Sequence, residues 1–357
     1  SGLASKLVAE RAASYQSNCA AALMQLGRLS DALRACTDAV SEYPRSSKAL
    51  LRSAHVHLML GELGVARDYY ARAAAAGAKP EAEEGERLCS EAEAEVKRPC
   101  RELDFCRKHG CATFDAHRTL VACLDSSTRR SPFNATLKAL RAEAYATAGR
   151  FQEARSICEG QLSRRDGTGP SHGALWSTTL GRILYDACNL CGAAVRLTEA
   201  LECPGTPAHA RELLRRARNL ESERTTGNAA FKRGDYAGAI NSYTRALQID
   251  PNHGRFRSLL FCNRAAAYGK VEGSAPAEKA IADCSLAIQL DPNYAKAYLR
   301  RAEMRLRVGK LMLALDDFNK AERFDATGAV GMEAARRARE IRTGGAGYGG
   351  GRGGGFG

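Results

Sequence analysis

The chain has 357 residues, of which 45% are hydrophobic, 26% charged and only 6% aromatic, and 53 Lys and Arg against 40 Asp and Glu give a net charge of +13. This length and apolar fraction exclude wholesale disorder and allow two or three domains with buried cores. Alanine in nearly every segment and the lack of alternating Val, Ile and Thr argue for closely packed helices, an all-α fold.

No long apolar run marks a membrane span, and the first residues, SGLASKLVAERAAS, lack the apolar core of a signal peptide. The basic residues are interleaved with acidic ones and form no zinc finger, RNA-binding sheet motif or polybasic arm, so neither nucleic acid nor membrane is an expected partner. Cysteines such as Cys19, Cys36, Cys158, Cys262 and Cys284 sit singly on apolar helical faces, where a thiol acts as a small hydrophobe. The expected setting is the reducing cytoplasm or also the nucleus.

In chain order, NCAAALMQLGRLSDALRACTDAVSEYP at 18–44 is followed by ALLRSAHVHLMLGELGVARDYYARAA at 49–74, with their turn glycines Gly27 and Gly61 34 residues apart. That period is one helix-turn-helix repeat. This N-terminal module spans 1–76 and reads as clipped, because 1–14 is too short for a complete preceding helix pair. His55 and His57, two apart on one helix, have no paired carboxylate or nucleophile beside them, and no enzyme is expected.

Residues 77–132 read as a helical insertion or linker, with the acidic stretch PEAEEGERLCSEAEAEV and then KRPCRELDFCRKHGC. Cys100, Cys106, His109, Cys111, His117 and Cys123 invite a zinc reading, but their spacings match no closed zinc pattern and suit helix faces. No metal or other cofactor is expected. A central, degenerate module with its bridging helix spans 133–223: a clear unit at 133–162, a looser one at 174–203 with Tyr185 and Ala194 as contact positions, and a proline-started helix at 207–223. Trp176 is placed in its packing. Cys188 and Cys191 read as a packed face in preference to a redox pair.

The C-terminal module covers 224–342. GNAAFKRGDYAGAINSYTRALQIDPN at 227–252 opens it, a unit at 262–293 carries about three extra residues around its turn, a third unit spans 294–325, and a helix near 328–342 caps the stack. Residues 343–357, GAGYGGGRGGGFG included, form a glycine-rich tail expected to be disordered. Across the chain a turn glycine precedes an alanine by five residues in Gly27 with Ala32, Gly61 with Ala66, Gly149 with Ala154, Gly234 with Ala239, and Gly309 with Ala314. Glycine permits the tight turn and alanine lets two antiparallel helices touch.

Helix positions four apart share a face. Lys296 and Arg300 in KAYLRR therefore point together, and stacking of first helices brings Arg224, Asn228 and Asn263 to the same groove wall, with Tyr298 beside the cations. Three cations and two amides suit a short acidic ligand, ideally a chain end whose terminal carboxylate adds to a side-chain carboxylate. Asn18 with Lys48 and Arg52 repeats part of this set in the first module.

The repeat resembles the tetratricopeptide repeat, and the five C-terminal residues resemble the dicarboxylate clamp of tetratricopeptide co-chaperones. That resemblance implies an α-solenoid that receives the Glu-Glu-Val-Asp tails of cytosolic seventy- and ninety-kilodalton heat-shock chaperones and links them to a client. In the family pattern the first cation is usually lysine, where this chain has Arg224. The order of modules resembles the J-domain co-chaperones that carry these repeats, but no His-Pro-Asp motif occurs. The alternative is a general repeat scaffold for another acidic peptide or a partner helix.

Overall fold

The structure, a computed structural model, describes residues 2–109, 114–163 and 170–343. The glycine-rich tail from 344 onward, Cys111, and the side chains of His109 and His117 lie outside the described residues. Seventeen helices and no strand occur among the described residues, and they succeed one another as helix pairs, an α-solenoid. The chain divides into two compact units, Ser1–Ala187 with Gly192–Leu214, and Cys188–Cys191 with Arg215–Gly357.

The first unit starts with α1 (Gly2–Gln25), α2 (Leu29–Glu42), α3 (Ser47–Leu60), α4 (Leu63–Ala75) and α5 (Lys79–His109). α6 (Phe114–Arg130), α7 (Ala135–Thr147), α8 (Phe151–Leu162), α9 (Pro170–Asp186) and α10 (Leu190–Glu202) follow. α3 begins at Ser46, whose hydroxyl accepts the Ala49 N–H at 3.3 Å, and α7 at Asn134, whose Oδ1 accepts that of Leu137 at 3.0 Å. Each supplies a partner for an otherwise orphan helix donor. α3 ends at Gly61, with φ +84°, and Gly27, Gly149, Gly234 and Gly309 share that left-handed turn conformation. The five alanines that follow, Ala32, Ala66, Ala154, Ala239 and Ala314, are fully buried where paired helices cross.

Two sequence assignments shift. The beginning of α5, placed in the linker by its composition, packs on the first module: Ala82 and Cys89 share a core with Ala54, Ala66 and Tyr70. Its acidic residues face outward, and Arg67 on α4 reaches Glu86 and Glu93 at 2.8 Å each. In the degenerate unit the buried contact residue is Ala193, while Ala194 is half-buried. Ala193 lies five residues after Cys188, which takes the turn glycine's place with φ +65°, so the repeat's register holds with cysteine at the turn.

Trp176 packs with Leu180, Ile183 and Cys158 in a core of the first unit. Further along α5, Leu103 and the half-buried Cys100 join Leu120, Leu124 and Leu137. Among the described residues no group of three or more His, Cys, Asp and Glu side chains is arranged to hold a metal.

In the second unit α11 (His209–Lys232), whose last three-quarters lie in it, is followed by α12 (Tyr236–Ile249), α13 (Gly254–Lys270), α14 (Ser274–Leu290), α15 (Ala295–Arg307), α16 (Leu311–Phe324) and α17 (Ala329–Arg342). The bridging helix and the module's first helix are one continuous helix, α11, so the boundary expected at 223/224 falls inside it. The extra residues of the middle repeat lengthen the start of α14, to 17 residues against 14 in α12. α17 covers the last pair, with Ala334 and Ala338 fully buried against the core of Tyr298, Phe318 and Ala321.

Two arginines tie successive helices. Arg264 on α13 makes two 2.8 Å bonds to Asp283 on α14 and donates to Thr244 Oγ1 on α12 at 2.9 Å. One repeat later, Arg301 on α15 does the same to Asp317 on α16, at 2.8 Å twice, and to Ser285 on α14, at 3.0 Å. A rigid guanidinium fork thus joins its own pair to the one before.

Candidate peptide-binding grooves

In the second unit the site is built around Tyr243. Gly227 lets this ring lie against α11, since a Cβ there would stand 2.6 Å from Tyr243 Cε1. The phenol then donates to Asn228 Oδ1 at 2.7 Å. With its oxygen occupied, Asn228 keeps its amide N–H groups for a ligand. Burial raises the Tyr243 pKa, opposed by the charges of Arg300 and Arg224, so cations of α15 and α11 act on one phenol of α12.

Arg300 donates from Nη1 to the Cys262 carbonyl and, at 3.0 Å, to Cys262 Sγ on α13. The neighbouring Asn263 is half-buried. Neither Arg300 nor the exposed Lys296 makes an ion pair among the described residues, and Lys296 stands one turn before Arg300 on α15. Two cations from one helix, neither with a carboxylate partner among the described residues, and an oriented amide from another have the chemistry to accept carboxylate oxygens.

Two expectations change. Arg224 is no free third cation: Glu221, three residues earlier on α11, accepts from its Nε at 3.0 Å and from its Nη2 at 2.6 Å, which raises the guanidinium's pKa. Residues three apart on a helix meet, and the pair formed. Tyr298 does not line the groove. It is buried, donates its hydroxyl to the Pro292 carbonyl at 3.1 Å, and packs 5.5 Å from Phe324. Two residues from both Lys296 and Arg300, it sits about 200° around the helix from each.

In the first unit, Arg52 on α3 donates from Nη1 to Ser17 Oγ at 2.6 Å and to Asn18 Oδ1 at 3.1 Å on α1. Asn18 and Lys48 are exposed, and Lys48 has no ion pair among the described residues. Sequence reasoning missed what adjoins them: a groove of about 690 Å³ with Met24, Leu51, Arg52, His55, Tyr70 and Leu88 in its walls. α5 supplies one wall, and the signal for it was the apolar spacing of Ala82, Cys89 and Leu88 within an otherwise acidic stretch. His57 is a core residue, stacked 5.3 Å from Tyr69, with Nδ1 2.5 Å from Glu62 Oε2.

Residues 20–82 and 221–253 match models of the tetratricopeptide repeat. Human DnaJ homolog subfamily C member 7 is 32% identical over 317 residues, which make up 88% of this chain and 60% of that protein. This chain therefore spans little more than half of that relative. The second TPR domain of human RPAP3, solved in complex with the HSP70 peptide SGPTIEEVD, is 35% identical, covers 36% of this chain and 98% of its own, and has a TM-score of 0.31. The first TPR of Spaghetti (RPAP3), bound to the HSP90 peptide SRMEEVD, is 31% identical over 36% of this chain and 95% of its own, with a TM-score of 0.32. The chain carries tetratricopeptide repeats, and over most of its length it is similar to DnaJ homolog subfamily C member 7.

Proposed function

We propose that the chain is an adaptor without catalytic activity of its own, which receives the acidic C-terminal tail of a cytosolic seventy- or ninety-kilodalton heat-shock chaperone in the groove of its second unit and links it to a client in the cytoplasm. The observation that carries this reading is the pairing of Lys296 and Arg300, both without a carboxylate partner, with the Asn228 amide that Tyr243 orients. A free chain end that ends in Asp brings two carboxylates within a few ångströms, and two cations with amide donors match that demand. The sequence relationship to a DnaJ-type protein supports the choice of ligand.

The test is a fluorescence-anisotropy titration of the chain with labelled SRMEEVD, as the free acid and as the C-terminal amide. Micromolar binding of the acid, weakened by about tenfold or more on amidation and by a similar factor in Lys296→Ala or Arg300→Ala at unchanged helicity, is expected. Equal affinity for acid and amide would instead favour a scaffold for an internal acidic segment. Absence of binding in both would remove the chaperone-tail reading.

A further inference from the structure

Glu303 is the feature of the second groove that the carboxylate-receptor reading leaves unexplained. It follows Arg300 by three residues and Lys296 by seven, so all three share one face of α15. Its side chain is half-buried and, among the described residues, makes neither a hydrogen bond nor an ion pair. The charged groups that act on it are Arg337 of α17, Arg300, Glu333 and Lys270. Arg337 is already divided between Glu333 and Glu340, at 3.1 and 3.7 Å, and Arg300 is turned to the Cys262 carbonyl. Burial, the largest influence, raises the Glu303 pKa. A partly desolvated carboxylate without a partner costs free energy that a cation or N–H donor would recover.

We infer that Glu303 is a specificity-determining residue of this groove, accepting a cationic or hydrogen-bond-donating ligand side chain near the clamped carboxylates and rejecting an acidic one there. The inference rests on the peptide-groove reading above. It adds a sign rule: the ligand is acidic at its end and basic, or at least not acidic, at one position before it. Two cations without a carboxylate partner, followed along the same helix face by one carboxylate without a cation partner, ask for a ligand with the complementary order. A uniformly acidic segment would place a carboxylate against Glu303, and like charges at close quarters are how an interface rejects a partner.

The experiment uses the full chain and variants of SRMEEVD in which the residues before the Glu-Glu-Val-Asp end are alanine except for a single Arg or a single Glu, moved through three positions. Wild type is expected to prefer Arg over Glu at one position by about fivefold, the upper range for a solvent-facing ion pair. Glu303→Gln should reduce that preference to within about twofold, and Glu303→Lys should invert it, with helicity unchanged. The same preference at every position in wild type and both variants would overturn the inference. So would a uniform rise in affinity for all peptides, which would mean that Glu303 only tempers Arg300. If Lys296→Ala abolishes binding while the Glu303 variants leave selectivity untouched, the groove reading stands and this inference alone falls. If no peptide binds wild type, both fall.

Discussion

Asp317 is 1% exposed, and it is tolerated inside the helix stack only because Arg301 and Arg305 saturate both of its oxygens. Its replacement would leave two half-buried guanidiniums without a counter-charge. Asp317→Ala should therefore cost about 3–5 kcal/mol in urea unfolding, the range for breaking a buried ion pair. Glu303 is the opposite case. Its raised pKa means that the folded chain holds this proton more tightly than the unfolded chain does, so its contribution to stability falls as pH rises through the carboxylate range. Glu303→Gln should stabilise the unliganded chain at pH 7, and the gain should shrink as the pH is lowered toward about 4. Urea midpoints at the two pH values check the sign. Arg224 and Tyr298 show the limits of reading one residue at a time: the identity of the cation was plain in the sequence, but Glu221 had already claimed it.

At the scale of elements, the helix-turn-helix repeat was legible because its rules are local. A glycine at the turn and an alanine at the crossing lie five residues apart, and both are used within a single pair. The degenerate unit tests the rule. Cys188 adopts the left-handed turn that costs a non-glycine residue roughly 1–2 kcal/mol, so Cys188→Gly should stabilise the chain by about 1 kcal/mol, read from the thermal midpoint. Gly61→Ala should do the reverse and more, since a Cβ there meets Asn134 Oδ1 at 2.6 Å as well as the φ of +84°. The three extra residues of the middle repeat were visible as an insertion, yet only the structure places them in the first turn of α14, where they leave the contact residue Ala280 fully buried.

At the scale of the molecule, repeat stacking makes stability a sum of repeat and neighbouring-interface contributions, and the chain divides into two compact units. A fragment of residues 209–343 retains all of α11 and should fold and bind SRMEEVD within about threefold of the full chain; one that starts at 224 cuts α11 in its middle and should lose helicity by circular dichroism. The sequence by itself determined the all-α class, the repeat period and the positions of Asn228, Asn263, Lys296 and Arg300 on first helices, because each follows from helical spacing within or between adjacent repeats. Only the tertiary structure decided which charges are spent. Arg224 is paired with Glu221, Lys296 and Arg300 have no carboxylate partner among the described residues, Glu303 follows them on α15 without an ion pair, and α5 becomes the wall of a groove. Those outcomes depend on which side chains meet after the helices stack, and sequence spacing carries no record of that competition.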